Sequence, residues 1–126
     1  MIEVEDVLEI HQFLIEKYGG ANGIREISLL HSAISRPFTT FDGKELYPHP
    51  IDKASAILES IIINHPFVDG NKRTAFILCA VILLEYNYEI LGSQKEKYDF
   101  VIAVTKGELK FDKIKVWLQS HSKKII

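Results

Sequence analysis

Between His65 and Arg73 the chain sets a histidine, an aspartate, a glycine, an asparagine and two adjacent cations into the stretch HPFVDGNKRTA, residues 65–75. Histidine is the usual proton acceptor near neutral pH. His65 follows the end of an apolar helical pattern and precedes Pro66, so its ring is free to project into a cleft. Asp69 offers a hard oxygen suited to magnesium held jointly with substrate phosphates. Gly70 lets the backbone turn tightly and approach a ligand closely. Asn71, Lys72 and Arg73 open a helix, where unpaired backbone N–H groups make a ready anion site. For cations that is the wrong end: a helix N-terminus carries about half a positive charge, and each cation there costs on the order of 0.3–1 kcal/mol. A bound phosphate resolves the conflict. A base, a magnesium ligand and a phosphate cradle are the parts needed to move a phosphorus group from a nucleotide to a hydroxyl.

Each of these residues also has an ordinary structural use. His65-Pro66 can stop a helix, Asp69-Gly70 can turn the chain, Asn71 can cap a helix, and the cations can fold back onto Asp69. It is their concurrence in one short loop that favours chemistry. Phe67, apolar in a polar loop, is expected to anchor that loop into the core.

The elements that must position this loop read as helical almost throughout. Val4, Val7, Leu8, Ile10, Leu14 and Ile15 make a first amphipathic helix that Gly19 and Gly20 end. Ser28 is expected to cap a second helix through Leu30, Ala33 and Ile34, ended by Arg36-Pro37. Residues 38–47 differ: β-formers flank an Asp42-Gly43 turn, a hairpin signal that suggests a flap. Pro50 suits the first position of a third helix stopping near Asn64, because Pro66 disfavours a helical His65. The fourth helix runs from about Asn71 to Tyr86 and, being apolar on all sides, is expected to be central. Ser93 and Asp112 are expected to cap a fifth and a sixth helix, Trp117 to sit in the core, and His49 to cap a helix or lie on the surface. The tail from Lys123 to Ile126 is expected to fray.

Composition narrows the function classes. With 126 residues, the chain fits a single domain over 1–126 that is too small for two cores. Its net charge of −2 supplies no basic footprint for nucleic acid and no polybasic surface for a membrane, so phosphate binding must come from a few placed groups. Cys79 is alone and reads as core, without a disulfide framework or cysteine metal cluster. His11, His31, His49 and His121 are scattered without a His-Glu-x-x-His spacing, and there is no G-x-x-x-x-G-K-[ST] loop. The start MIEVEDVLEIHQF lacks the positive flank of a signal peptide. The apolar run 74–84 falls well short of the roughly 20 residues that span a bilayer. A cytoplasmic protein is the expectation.

The stretch HPFVDGNKRTA resembles the Fic/Doc (Fido) superfamily signature H-x-F-x-[D/E]-[G/A]-N-[G/K]-R. LLHSAISRP and DGKELYP upstream are similar to the death-on-curing (Doc) branch, and the likeness extends over about residues 1–90. The resemblance implies an all-α, compact six-helix Fic/Doc fold with a central buried helix and a small β-hairpin flap. Carried over by position, it implies His65 as the base that deprotonates the target hydroxyl and Phe67 as the core anchor. Asp69 becomes the magnesium ligand, Asn71 a phosphate donor, and Arg73 the group stabilising the transferred phosphoryl. Gly70, Asn71, Lys72 and Arg73 would together bind the nucleotide phosphates. The flap, with Phe38, Thr39, Thr40, Phe41, Asp42, Gly43 and Lys44, would pair with an extended target segment by strand addition.

Relatives that transfer AMP usually carry glycine where this chain has Lys72, and a second arginine where it has Phe76. The Doc branch shares both changes, and Lys72 would crowd the site that holds the inner phosphates in AMP-transferring relatives. The resemblance therefore implies a kinase: ATP with Mg2+ as donor, γ-phosphate transfer to a translation factor (elongation factor Tu), and arrest of translation. It further implies a toxin–antitoxin pair, with a separate antitoxin protein as partner. The family's inhibitory pattern [S/T]-x-x-x-E-[G/N] is approached at Ser55 to Ser60, fails at its last position, and reads as ordinary helix surface. Two other functions stay open: nucleotidyltransferase activity with AMP, and a non-catalytic Fic-fold binding module. The intact set at 65, 67, 69, 71 and 73 argues against the module.

Overall fold

Helices form where the apolar spacing predicts them, and their ends follow local chemistry. The computed structural model describes residues 2–125. In it, α1 covers Val4–Tyr18, α2 Ile27–Ser35, α3 Pro50–Asn64, α4 Asn71–Glu85, α5 Gln94–Thr105 and α6 Phe111–His121. Gly19, at φ 86°, ends α1. Pro50 occupies the first position of α3, and His49 caps it: the His49 ring accepts from the Ile51 N–H while the Asp52 carboxylate accepts from the His49 N–H. Ser93 and Glu96 make the same reciprocal cap on α5. Two expected caps are the second residue of their helix instead. Residues 24–26 are extended against the loop at 66–67, so α2 starts directly after Glu26, and Ser28 donates to the Glu26 carboxylate. Likewise α6 begins at Phe111, and Asp112 serves its first turn as a negative charge near the positive helix end.

The predicted hairpin is present. Strands β1 (Thr40–Phe41) and β2 (Lys44–Glu45) pair antiparallel with Phe41 opposite Lys44. Asp42 and Gly43 both hold positive φ, 53° and 76°, as a two-residue turn matched to strand twist requires. A second ribbon escapes the periodicity: β3 (Tyr88–Ile90) pairs antiparallel with β4 (Ser122–Lys124). Lys123 and Lys124 are thus tied down and not frayed, and the Ile125 N–H donates to the Asn87 carbonyl; Ile126 lies outside the described residues.

The all-α fold has a central buried helix, but it is α3. Every residue from 51 to 62 is buried, and α3 packs against α2, α4, α5 and α6. α4 keeps one side open, with Ile77 39% and Leu84 53% exposed. Counting apolar residues favours α4 because α3 contains Asp52, Lys53, Ser55, Glu59 and Ser60. Each of these finds a partner inside the fold. Lys53 donates to Glu45 and to the Tyr47 carbonyl, Lys115 pairs with Asp52 at 2.7 Å, and the Ser55 hydroxyl donates to the Ile51 carbonyl. Arg36 reaches both Glu59, at 2.9 Å, and Ser60. Glu59 is therefore a buried, paired group and not helix surface. Trp117 packs against the core as expected, stacked between Phe100 and His121. Among the described residues no helix is long and apolar enough to cross a membrane.

Candidate active site

The loop between α3 and α4 is shaped first by its own backbone. Pro66 bars His65 from continuing the helix, and His65 takes the left-handed conformation at φ 50°, ψ 57°. For a residue other than glycine this costs about 1–3 kcal/mol, so surrounding contacts must hold it. Gly70 is also left-handed, at φ 78°, and a Cβ there would come within 3.1 Å of Ile15 and 3.5 Å of His11. Phe67 is fully buried beneath the loop, as expected of an anchor. The His11 ring stacks on it at 3.8 Å and hydrogen-bonds the Asp69 carbonyl. His11, scattered in sequence, is thus part of the loop's foundation.

A strap formed by residues 20–26, between α1 and α2, holds the loop from the side. The Arg25 and Glu26 N–H groups donate to the Pro66 carbonyl, the Val68 N–H donates to the Gly23 carbonyl, and Ile24 bridges Phe67. The Arg25 side chain donates to the carbonyls of Asn64 and His65. The Ala21 N–H donates to one Asp69 oxygen at 3.1 Å and the Gly70 N–H to the other at 2.9 Å. These two backbone donors hold the Asp69 carboxyl below the usual carboxylate range, with Lys72 and His11 adding smaller effects in the same direction. Because the strap acts mostly through main-chain groups, side-chain types carry little sign of it beyond Gly20 and Gly23.

His65, Asp69, Gly70, Asn71, Lys72 and Arg73 all line one cavity of about 650 Å³. Leu14, Tyr18, Ile62, Phe76 and Ile77 continue its surface, and α5 supplies the facing wall through Gln94, Lys97, Tyr98, Val101, Ile102 and Thr105. Neither Lys72 nor Arg73 makes an ion pair among the described residues, so they do not fold back onto Asp69. Arg73 lies instead over the Tyr18 ring, 4.3 Å from its centroid. Asn71 is 5% exposed, and its side chain is committed to the loop: Oδ1 accepts from the Phe67 N–H and Nδ2 donates to the Phe67 carbonyl. What it has left for an anion is its second amide hydrogen. The flap residues 38–44 stand outside the cavity; Phe38 and Thr39 border a separate pocket with Ile2, Val4 and His31. The hairpin is fastened at its base by Lys53 and by Arg36, which bonds the Tyr47 hydroxyl.

A helical domain that buries α3 and arms the α3–α4 loop with a histidine, a charged aspartate and two uncompensated cations defines a narrow class of protein. The model of the Fic/DOC family matches residues 1–83, and the chain belongs to that family. It is similar to a protein named Toxin Doc from Mycolicibacterium smegmatis, with 43% identity over 75 residues, covering 60% of this chain and 55% of the relative. The chain spans about half the length of this curated relative. The family match includes the strap and the whole loop, and stops before α5, so the far wall of the cavity lies outside it.

Phe67→Ala removes the buried support of the loop and is expected to cost about 3–5 kcal/mol in urea unfolding. For Asp69, a lowered folded pKa means stability that is present above the unfolded carboxylate pKa and lost as pH falls through the folded one. Asp69→Asn, which cannot titrate, is expected to be less stable than the unsubstituted protein at pH 7. That difference should shrink once pH drops below about 4, measured as Tm against pH; a gap independent of pH would separate Asp69 from the acid limb.

Proposed function

We propose that this protein is a Doc-type toxin that transfers the γ-phosphate of ATP to a hydroxyl of a translation factor, with elongation factor Tu the expected target, and so arrests translation. The observation that carries the reading is the pair Lys72 and Arg73 at the start of α4: both face the cavity without a carboxylate partner among the described residues. A helix start with two such cations and free N–H groups is stabilised by a polyanion. Arg73, resting on the neutral face of Tyr18, keeps its donors for the ligand. Family membership and likeness to a protein named Toxin Doc support the toxin assignment.

The residues divide the work by position. Arg73, Lys72 and the N–H groups that follow Gly70 hold the phosphates and balance charge on the transferring group. His65, at the mouth of the loop, takes the proton of the target hydroxyl. The hydroxyl oxygen then bonds the γ-phosphorus, the bond to the bridging β–γ oxygen breaks, and ADP leaves. Among the described residues no three His, Cys, Asp or Glu side chains cluster to hold a metal. Asp69, a single charged carboxylate, fits a magnesium ion that takes most of its oxygens from phosphate and water. When bound, that ion neutralises phosphate charge. The flap offers a short exposed edge to an extended target segment. A separate antitoxin restrains the activity, and ATP together with a translation factor places the reaction in the cytoplasm.

The reading is tested by incubating the protein with magnesium, elongation factor Tu and ATP labelled at either the α or the γ phosphorus. γ-Label on the factor is expected, and His65→Ala should abolish it while the circular dichroism of the domain is retained. α-Label would instead make the protein an AMP transferase, and no label on the factor, nor on any protein when a cell extract replaces it, would leave a binding module. Lys72→Gly is expected to raise α-label relative to γ-label; an unchanged ratio would remove Lys72 from the choice of nucleotide orientation.

A further inference from the structure

α3 ends with carbonyls that no following turn can receive, and the chain leaves through a left-handed His65. One residue collects three successive carbonyls at this exit. Arg25 donates from Nη2 to Asn64 at 2.7 Å, from Nε to His65 at 2.7 Å, and from its backbone N–H to Pro66 at 2.7 Å. The guanidinium also lies at the negative end of the α3 dipole, where a cation is favoured. Its planar fork fits two adjacent acceptors at once, which a lysine ammonium on a flexible stem cannot reproduce. Among the described residues no other side chain bonds the backbone of His65, and the remaining contacts that the strap, His11 and Asn71 make with the loop act on Pro66, Phe67, Val68 and Asp69.

From this geometry we infer that Arg25 is a positioning residue for His65: it fixes the backbone at the α3 exit and thereby the direction in which the imidazole enters the cavity. Arg25 itself does not line the cavity and touches no reacting atom. The inference rests on His65 being the base of the proposed transfer. Its effect falls on the chemical step and not on nucleotide affinity, because Arg25 makes no hydrogen bond to the groups assigned to phosphate, Gly70 to Arg73, among which Asn71 is fixed by its own bonds to Phe67.

The test compares Arg25→Met and Arg25→Lys with the unsubstituted protein in two measurements. In γ-phosphate transfer, Arg25→Met is expected to lower kcat by up to about 100-fold with KM for ATP nearly unchanged, and Arg25→Lys to recover part of the loss. An unaltered kcat, or a loss carried by KM alone, overturns the inference. The second measurement needs no reaction: NMR of the His65 ring and of the Asp69 and Gly70 amides. In Arg25→Met the ring signals should shift or split while those two amides stay in place; an unmoved ring signal overturns the inference. Should Arg25→Met fail to fold, Arg25→Lys carries the same comparison in both measurements. A protein without transfer activity would defeat the kinase reading, and the NMR measurement would still decide the role of Arg25.

Discussion

A left-handed backbone at His65 is the constraint on which the site depends. Pro66 makes continuation of α3 unfavourable, and the reversal it forces points α4 back along α3, the pair with the most extensive packing in the fold. The conformation costs energy by itself and persists because the main-chain groups next to it find partners. Phe67 fills the space beneath, Asn71 bonds both main-chain groups of Phe67, and the 20–26 strap bonds the carbonyl of Pro66 and the N–H of Val68. Satisfying buried main-chain groups in this way leaves few alternative loop conformations. What remains outside, His65, Asp69, Lys72 and Arg73, is displayed on a rigid mount.

Electrostatics then divides the loop into unequal parts. Asp69 is settled: two backbone donors keep it charged. Lys72 and Arg73 are not settled, since they share the positive end of α4 and find no carboxylate among the described residues. A fold selected for stability alone would gain by exchanging them for acids, which suit a first turn. Their retention in a cavity, opposite Tyr98, Val101 and Ile102 of α5 as well as the polar Gln94, Lys97 and Thr105, is the pattern of a site shaped for an anion with a nonpolar part.

Much of this was legible in the sequence because local steric rules decide it. Gly19, Pro50 and Pro66 mark helix limits, Asp42-Gly43 marks the hairpin, and the residues of the loop lie so close in sequence that any turn brings them together. Features made by distant partners left no such mark. The strap works through main-chain hydrogen bonds, for which side-chain identity is nearly silent. The β3–β4 ribbon joins three-residue strands far apart in the chain, too short to show alternation. Glu59 reads as helix surface because charged side chains are rarely buried unless paired, and its partner Arg36 is identified only by the fold, as is Glu45, the partner of the buried Lys53. The α5 wall was invisible for a related reason: Val101 and Ile102 carry the same apolar spacing whether they face a core or a cavity.

Apart from the Thr74 N–H within α4 itself, every group that bonds the reactive loop precedes residue 72, whereas the opposite wall begins at Gln94. Synthesis proceeds from the N-terminus. The nascent chain therefore emerges with its histidine, aspartate and cations already able to find their supports while α5 is still within the ribosome.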